Sequence, residues 1–270
     1  MKESLSVRFL YKTVPGRIVL KVLTAPALSK KAANVLNSKL SALYIPIFVK
    51  KNRIDTEKFI RPFGGYYSFN EFFMREMKDE YLNLEDGTLC SPCDGLLTIK
   101  AIDDTSVFTI KHCKYDIGRL LGDNELAKRF IGGTALIFRL TPTHYHRYNY
   151  CTSGKASDVT RIEGKLHCVR PIALEQYPVF TENSREYITI DSEKLGTVVQ
   201  MEVGALLVGL ISNNSVYTTD AIINTEKGHF EFGGSTIIVL LDHKVKLKHK
   251  LKVREKIDGE IPVKIGEALY

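Results

Sequence analysis

The stretch Phe230-Glu231-Phe232-Gly233-Gly234-Ser235-Thr236, continued by Ile237-Ile238-Val239-Leu240-Leu241, holds two signals at once. From Ser235 to Leu241 the chain is rich in β-branched and aliphatic side chains, as a buried strand requires, and Gly233-Gly234 supplies a turn or bulge before it. Gly-Gly-Ser between two strands is ordinarily a hairpin turn. It also has a chemical reading. Glycine tolerates the strained backbone in which a serine hydroxyl folds back onto the preceding carbonyl. An N-to-O acyl shift at Gly234-Ser235 would then give an ester, and loss of the serine Cα proton would expel the Gly234 carboxylate. The dehydroalanine left behind rearranges and hydrolyses to a pyruvoyl group, an electrophile that no ordinary side chain provides.

Similar short runs lie upstream. Leu96 to Ile102, Ala135 to Leu140 and Val198 to Ile211 alternate with turn residues, so the chain from about Leu89 onward reads as mostly antiparallel sheet. Downstream, Lys244 to Val253 alternates strictly. Its lysines at 244, 246, 248, 250 and 252 oppose Val245, Leu247, Leu251 and Val253, which predicts a half-buried edge strand protected by charge.

The N-terminal part has a different period. From Thr13 to Arg53 the chain is rich in Lys and Leu; Val35, Leu36, Leu40 and Leu43 sit at helical spacing, with Lys30, Lys31, Lys39, Lys50 and Lys51 around them. Pro26 and Pro46 divide this region into short helical pieces. A second helix starts near Ser68, where Ser68 and Glu71 make an S-x-x-E capping box and Phe69, Phe72, Phe73 and Met77 share a face. A third, near Asn124 to Phe130, is closed by Gly132-Gly133. The fold class expected is α+β: a helical, membrane-associating region over 1–60, then a mainly antiparallel β-rich catalytic domain over 61–270.

With Lys+Arg 38 against Asp+Glu 31, the net charge of +7 favours an anionic partner, either a membrane surface or nucleic acid. The longest uncharged apolar stretch near the N-terminus, Leu40 to Val49, is far short of the roughly 20 residues that span a bilayer, and no secretory signal is evident, so membrane contact is expected to be peripheral. Five cysteines, an odd number, argue for a reducing compartment. Cys90 and Cys93 form one C-x-x-C without a second pair or a His pair at ligand spacing, so no metal is expected.

A serine hydroxyl needs a base and an orienting acid. Ser91-Pro92-Cys93-Asp94-Gly95 places a carboxylate in a turn before a strand, and Thr143-His144-Tyr145-His146-Arg147-Tyr148 follows the run Ala135 to Leu140. Each has an ordinary alternative as a turn or a structural cluster.

Together these blocks carry a resemblance. F-N-E-F-F-x-R (Phe69 to Arg75), S-P-C-D-G (Ser91 to Gly95), Y-H-R-Y (Tyr145 to Tyr148), V-G-A-L-L-V-G (Val203 to Gly209) and K-G followed by F-G-G-S-T appear in the order found in the phosphatidylserine decarboxylase family, which the chain resembles over most of its length. The resemblance implies a proenzyme that cuts itself between Gly234 and Ser235, leaving a larger chain 1–234 and a smaller one that begins with the pyruvoyl cofactor made from Ser235. It implies that Asp94 is the charge-relay aspartate of self-cleavage; His146 is the residue expected to assist it and to return a proton to the substrate carbon. Phosphatidylserine would form a Schiff base with the keto group, lose CO2 and leave as phosphatidylethanolamine. The implied partners are this lipid and an anionic membrane surface rather than nucleic acid, with the protein peripheral on the cytoplasmic side of the cell membrane and a homo-oligomer left open.

One departure bears on the base. Many members carry Y-H-R-x-H preceded by Asp, and the second His is usually assigned to the relay. Here Asn149 stands in that place and His144 replaces the Asp, so either His146 does more or another histidine such as His167 enters the site. The alternatives are a lipid-binding homologue that does not process, and a pyruvoyl decarboxylase of a soluble amino acid.

Overall fold

In a computed structural model, residues 5–24, 33–110, 112–205, 210–232, 235–248, 251 and 253–270 are described. Helices come first: α1 (Leu5–Lys12), α2 (Val14–Leu23), a single turn over 33–36, α3 (Ile45–Asn52) and α4 (Phe69–Phe73). The strands follow as β1 (Gly95–Ala101), β2 (Val107–Ile110), β3 (Cys113–Asp116), β4 (Thr134–Leu140), β5 (Arg147–Asn149), β6 (Gly154–Ala156) and β7 (Thr160–Ile162). They continue as β8 (Arg185–Ser192), β9 (Gly196–Val203), β10 (Ile211–Asn213), β11 (Thr219–Ala221), β12 (Glu226–Phe230), β13 (Ser235–Leu241) and β14 (Ile261–Val263). Two short helices, α5 (Ile117–Leu121) and α6 (Asn124–Lys128), lie between β3 and β4.

The main sheet runs β11-β6-β8-β9-β13-β4-β1-β14, with β7 on β8, and every pairing in it is antiparallel. β13 lies between β4 and β9, and all seven of its residues are buried. Period-two alternation therefore splits it between two cores. Ile238 and Leu240 join one face with Ile137, Met201 and Val203; Ile237, Val239 and Leu241 join the other with Phe138, Leu140 and Val198. A small sheet, β10-β12-β5, packs at the end of the large one where β13 begins.

The helices pack at different ends: α6 leads into Thr134, which pairs with Leu241 at the far end of β13, whereas α4 lies against His146 near Ser235. Asp123 caps α6 through its side chain, and Gly132, at φ 71°, turns the chain into β4 as the sequence predicts. Ser68 Oγ accepts the Glu71 N–H at 3.1 Å, so the predicted N-cap forms, while Glu71 reaches back one residue further than in a capping box, to the Tyr67 N–H. Phe69, Phe72 and Phe73 pack with Phe48 of α3 in an aromatic cluster. Tyr11 of α1 and Leu20 of α2 are buried in the core beneath the sheet.

Three expectations differ. α4 stops at Phe73, and Met77 is buried through a bridge to Phe59 instead of a helical face. Among the described residues of 244–253 there is no strand: Asp242 starts a turn by accepting the Val245 N–H at 3.1 Å, and Lys248 N–H reaches Leu269 O. Val245 and Leu251 are buried all the same, because local turns carry them inward, whereas Val253 is exposed. Of the four apolar residues at helical spacing, Val35, Leu40 and Leu43 face outward, and Leu36 packs against the aromatic cluster, as Ile45 and Val49 further along do. Pro26, Lys30, Lys31, Lys250, Lys252 and the part of V-G-A-L-L-V-G beyond Ala205 lie outside the described residues. No helix among the described residues is long and apolar enough to cross a membrane.

Candidate active site

β13 begins at Ser235, paired with Leu140 at the end of β4, and the chain after Leu140 folds straight back over that end. Thr141 makes the fold-back rigid: its carbonyl accepts the His144 N–H at 2.9 Å, and its own N–H donates to His144 Nδ1 at 3.0 Å. His146 then comes to rest against Ser235, with Nδ1 3.3 Å from Ser235 Oγ and Nε2 3.1 Å from the Thr141 carbonyl. A carbonyl oxygen only accepts, so Nε2 carries the proton of the neutral ring and Nδ1 presents a lone pair to the serine hydroxyl. Phe73 lies against the imidazole with ring centroids 4.0 Å apart, and both His146 and Ser235 are buried.

The surroundings keep that ring neutral. Burial holds His146 well below the usual histidine range, the Arg75 charge pushes the same way, and only the bond to Thr141 opposes them. Arg75 is itself buried, donating to the Phe72, Phe73 and His144 carbonyls and lying 4.3 Å above the Phe59 ring. Loss of hydration lowers its guanidinium to about 10, which leaves it charged at neutral pH. His144 is pushed down to about 4, chiefly by burial, against the pull of Asp94.

The other sequence-selected residues fall in different places. Asp94 is buried beside the C-terminal segment, where its carboxylate accepts the Ile265 N–H at 3.0 Å and Lys264 Nζ at 3.1 Å; no bond joins it to His146. Asn149 donates to the Asn224 carbonyl at 2.8 Å and is a structural tie. His167 lies stacked on Tyr177 in a cluster with Tyr11, on the opposite face of the sheet from Ser235. Gly233 and Gly234 lie outside the described residues.

Other residues of the site were not singled out for it in the sequence. Asn70 Oδ1 accepts the Phe232 N–H at 2.9 Å, and its amide donates to Asn37 and Glu231, so α4 holds the backbone just before Gly233. The signal for Asn70 and Arg75 was the block F-N-E-F-F-x-R that contains both. Behind the site, Lys227 Nζ donates to Glu202 Oε2 and Asn213 Oδ1 at 2.6 Å in a fully buried pair. Burial raises the Glu202 carboxyl even against the attraction of Lys227. Thr236 Oγ1 is buried without a hydrogen-bond partner among the described residues.

A serine hydroxyl with a neutral imidazole beside it, buried at the start of a central antiparallel strand, is the pairing of hydroxyl and base that acyl-transfer chemistry uses. A family model described as phosphatidylserine decarboxylase matches residues 69–270. A phosphatidylserine decarboxylase proenzyme 2 of Clostridium acetobutylicum is 38% identical, covering 97% of this chain and 90% of that protein. Phosphatidylserine decarboxylase proenzymes of Ruminiclostridium cellulolyticum and Clostridium tetani are 36% and 34% identical, covering 96% and 86% of this chain and 89% and 80% of those proteins. The chain belongs to the phosphatidylserine decarboxylase family.

Proposed function

We propose that the protein is a phosphatidylserine decarboxylase proenzyme that cleaves itself at Gly234-Ser235, and that the cofactor is the pyruvoyl group made from Ser235. The observation that carries this reading is the 3.3 Å approach of His146 Nδ1 to Ser235 Oγ in a buried site. His146 takes the hydroxyl proton as Oγ attacks the Gly234 carbonyl carbon; the C–N bond breaks, the serine nitrogen gains a proton, and an ester joins the two parts. Removal of the Ser235 Cα proton then expels the Gly234 carboxylate. Water enters and ammonia leaves as the new N-terminal group becomes the keto acyl. Asp94 acts through its charge near His144 and Arg75, and Asn70 holds the preceding strand end still.

The residues fit such a group: Ser235 is buried at the strand start and a neutral His146 faces it. The group supplies a keto carbon that captures the amine of phosphatidylserine and withdraws electrons as the carboxylate leaves as CO2. His146, once it holds a proton at Nδ1, is placed to return it to the substrate carbon.

The helical region 1–60 serves as the membrane-associating part, and 61–270 as the catalytic domain. Leu40 and Leu43 are 78% and 75% exposed, Ile47 and Phe63 also point outward, and Lys39, Lys50, Lys51, Arg53 and Arg61 surround them. The inner side of this patch is the aromatic cluster that reaches Phe73 and His146, so lipid docked there lies next to the site. Attachment is peripheral, on the cytoplasmic side of the cell membrane, in keeping with the odd number of cysteines.

Intact-mass analysis tests the reading. Chains of residues 1–234 and 235–270 are expected, the shorter with a blocked N-terminus, and a single uncleaved chain for Ser235→Ala. An uncleaved wild-type protein that binds lipid would favour the non-processing alternative.

A further inference from the structure

We propose that the cleft between α2 and the segment around His167 is a second, non-catalytic site for the phosphate headgroup of an anionic membrane phospholipid. The cleft has a volume of about 260 Å³. Leu20, Thr24 and Tyr177 line its throat, with Arg17, Lys21 and Lys165 around them.

His167 gives the cleft its chemistry. The residue is 4% exposed and lines the cleft, yet neither ring nitrogen has a hydrogen-bond partner among the described residues. Glu182 Oε2 stands 3.5 Å from Nε2 without hydrogen-bond alignment, and Lys165 Nζ takes that same oxygen at 3.1 Å. Stacking on Tyr177, at 4.7 Å between centroids, holds the imidazole in place. Nδ1, buried and with no hydrogen-bond or ion-pair partner among the described residues, costs free energy that a ligand oxygen would recover. Arg17 and Lys21 lie one helical turn apart and carry no ion pair among the described residues, so their charge is available to an anion.

The surroundings select a lipid over a soluble phosphate. Phe9, Val14 and Ile18 of the α1–α2 hairpin are exposed beside these cations. Apolar side chains flanking a cationic rim suit the interface of a bilayer, where phosphate meets acyl chain. The cleft is also separate from Ser235. His167 packs with Tyr11 and Tyr177 on the sheet face that takes Ile238 and Leu240, whereas Ser235 belongs to the alternate set with Ile237 and Val239.

The test is calorimetric titration of the whole purified protein with dihexanoyl phosphatidylglycerol below its micelle concentration. This lipid has no amine and cannot be turned over, so the measurement stands whether or not the chain processes itself. Saturable binding is expected, weakened by about tenfold or more in Arg17→Glu/Lys21→Glu. His167→Phe is expected to bind more weakly than His167→Gln, which keeps a donor and an acceptor, and dihexanoyl phosphatidylcholine more weakly than phosphatidylglycerol. Unchanged affinity in the double variant overturns the proposal. Competition by equimolar inorganic phosphate also overturns it, since the cleft would then be a soluble-anion site.

Discussion

Ser235 Oγ faces His146 Nδ1 at 3.3 Å, while the other nitrogen of the same ring is committed to the Thr141 carbonyl at 3.1 Å. The imidazole can therefore accept a proton only on the side of the serine. A backbone carbonyl, rather than a second histidine or a carboxylate, fixes the tautomer.

His146→Ala should leave mostly precursor, slowing release of the shorter chain by about 10²–10⁴-fold, the usual worth of a general base. Asn149→Ala should still cleave once folded, because among the described residues that side chain holds only the Asn224 carbonyl. A timed mass assay compares them. A folded His146→Ala protein that cleaves at the wild-type rate would remove His146 as the base.

Asp94→Asn should slow cleavage, whereas Lys264→Met should not, although both break the same ion pair. The Lys264 side chain is 76% exposed, and its surface pairing is worth at most about 1 kcal/mol. Equal cleavage by both variants would show that the Asp94 charge is not used.

Acidity should act late on cleavage and early on stability. With His146 held below the usual range by burial, cleavage should stay at its full rate as pH falls through 6.5 and decline only in more acid solution. His144 is lowered from 6.5 to about 4, so the unfolded chain binds its proton first. Its stabilising contribution is complete above pH 6.5 and is lost as pH falls toward about 4. Urea midpoints across that window should drop less for His144→Asn than for wild type.

Lys227→Met should cost about 3–5 kcal/mol in urea unfolding, since it strands the buried Glu202 carboxylate. Combining it with Glu202→Gln should recover much of that loss. Additive losses would mean that the two groups are not coupled.

Leu40→Asp/Leu43→Asp should reduce sedimentation with anionic vesicles, and salt should weaken what remains. Salt-independent binding, equal on neutral vesicles, would remove the electrostatic part of the docking.

The sequence was most informative where one local rule governs. Ser235 to Leu241 is uniformly aliphatic after its first two residues and became β13 at those bounds, and Ser68 with Glu71 announced the start of α4. It misled where two burial solutions share a pattern. Val245 and Leu251 go inward as an alternating strand would place them, but through turns pinned by Asp242 and Leu269. The partners of the site were the least legible. Lys264 and Ile265 meet Asp94 from about 170 residues away. The Thr141 contact is made by a carbonyl, which every residue possesses, so no side-chain pattern could mark it.

The place of β13 between β4 and β9 has a consequence after cleavage. The shorter chain would own a central strand, the sheet-edge strand β14 and Glu260, which pairs with Arg139 of the longer chain. Neither product could leave without opening both ladders of β13, so the mature enzyme would persist as two interlocked chains without a covalent link. Once unfolded, those chains would have to find each other again in solution, and return would depend on their concentration as assembly of the precursor does not. The mature form would then be durable because it is slow to come apart, not because it can readily re-form.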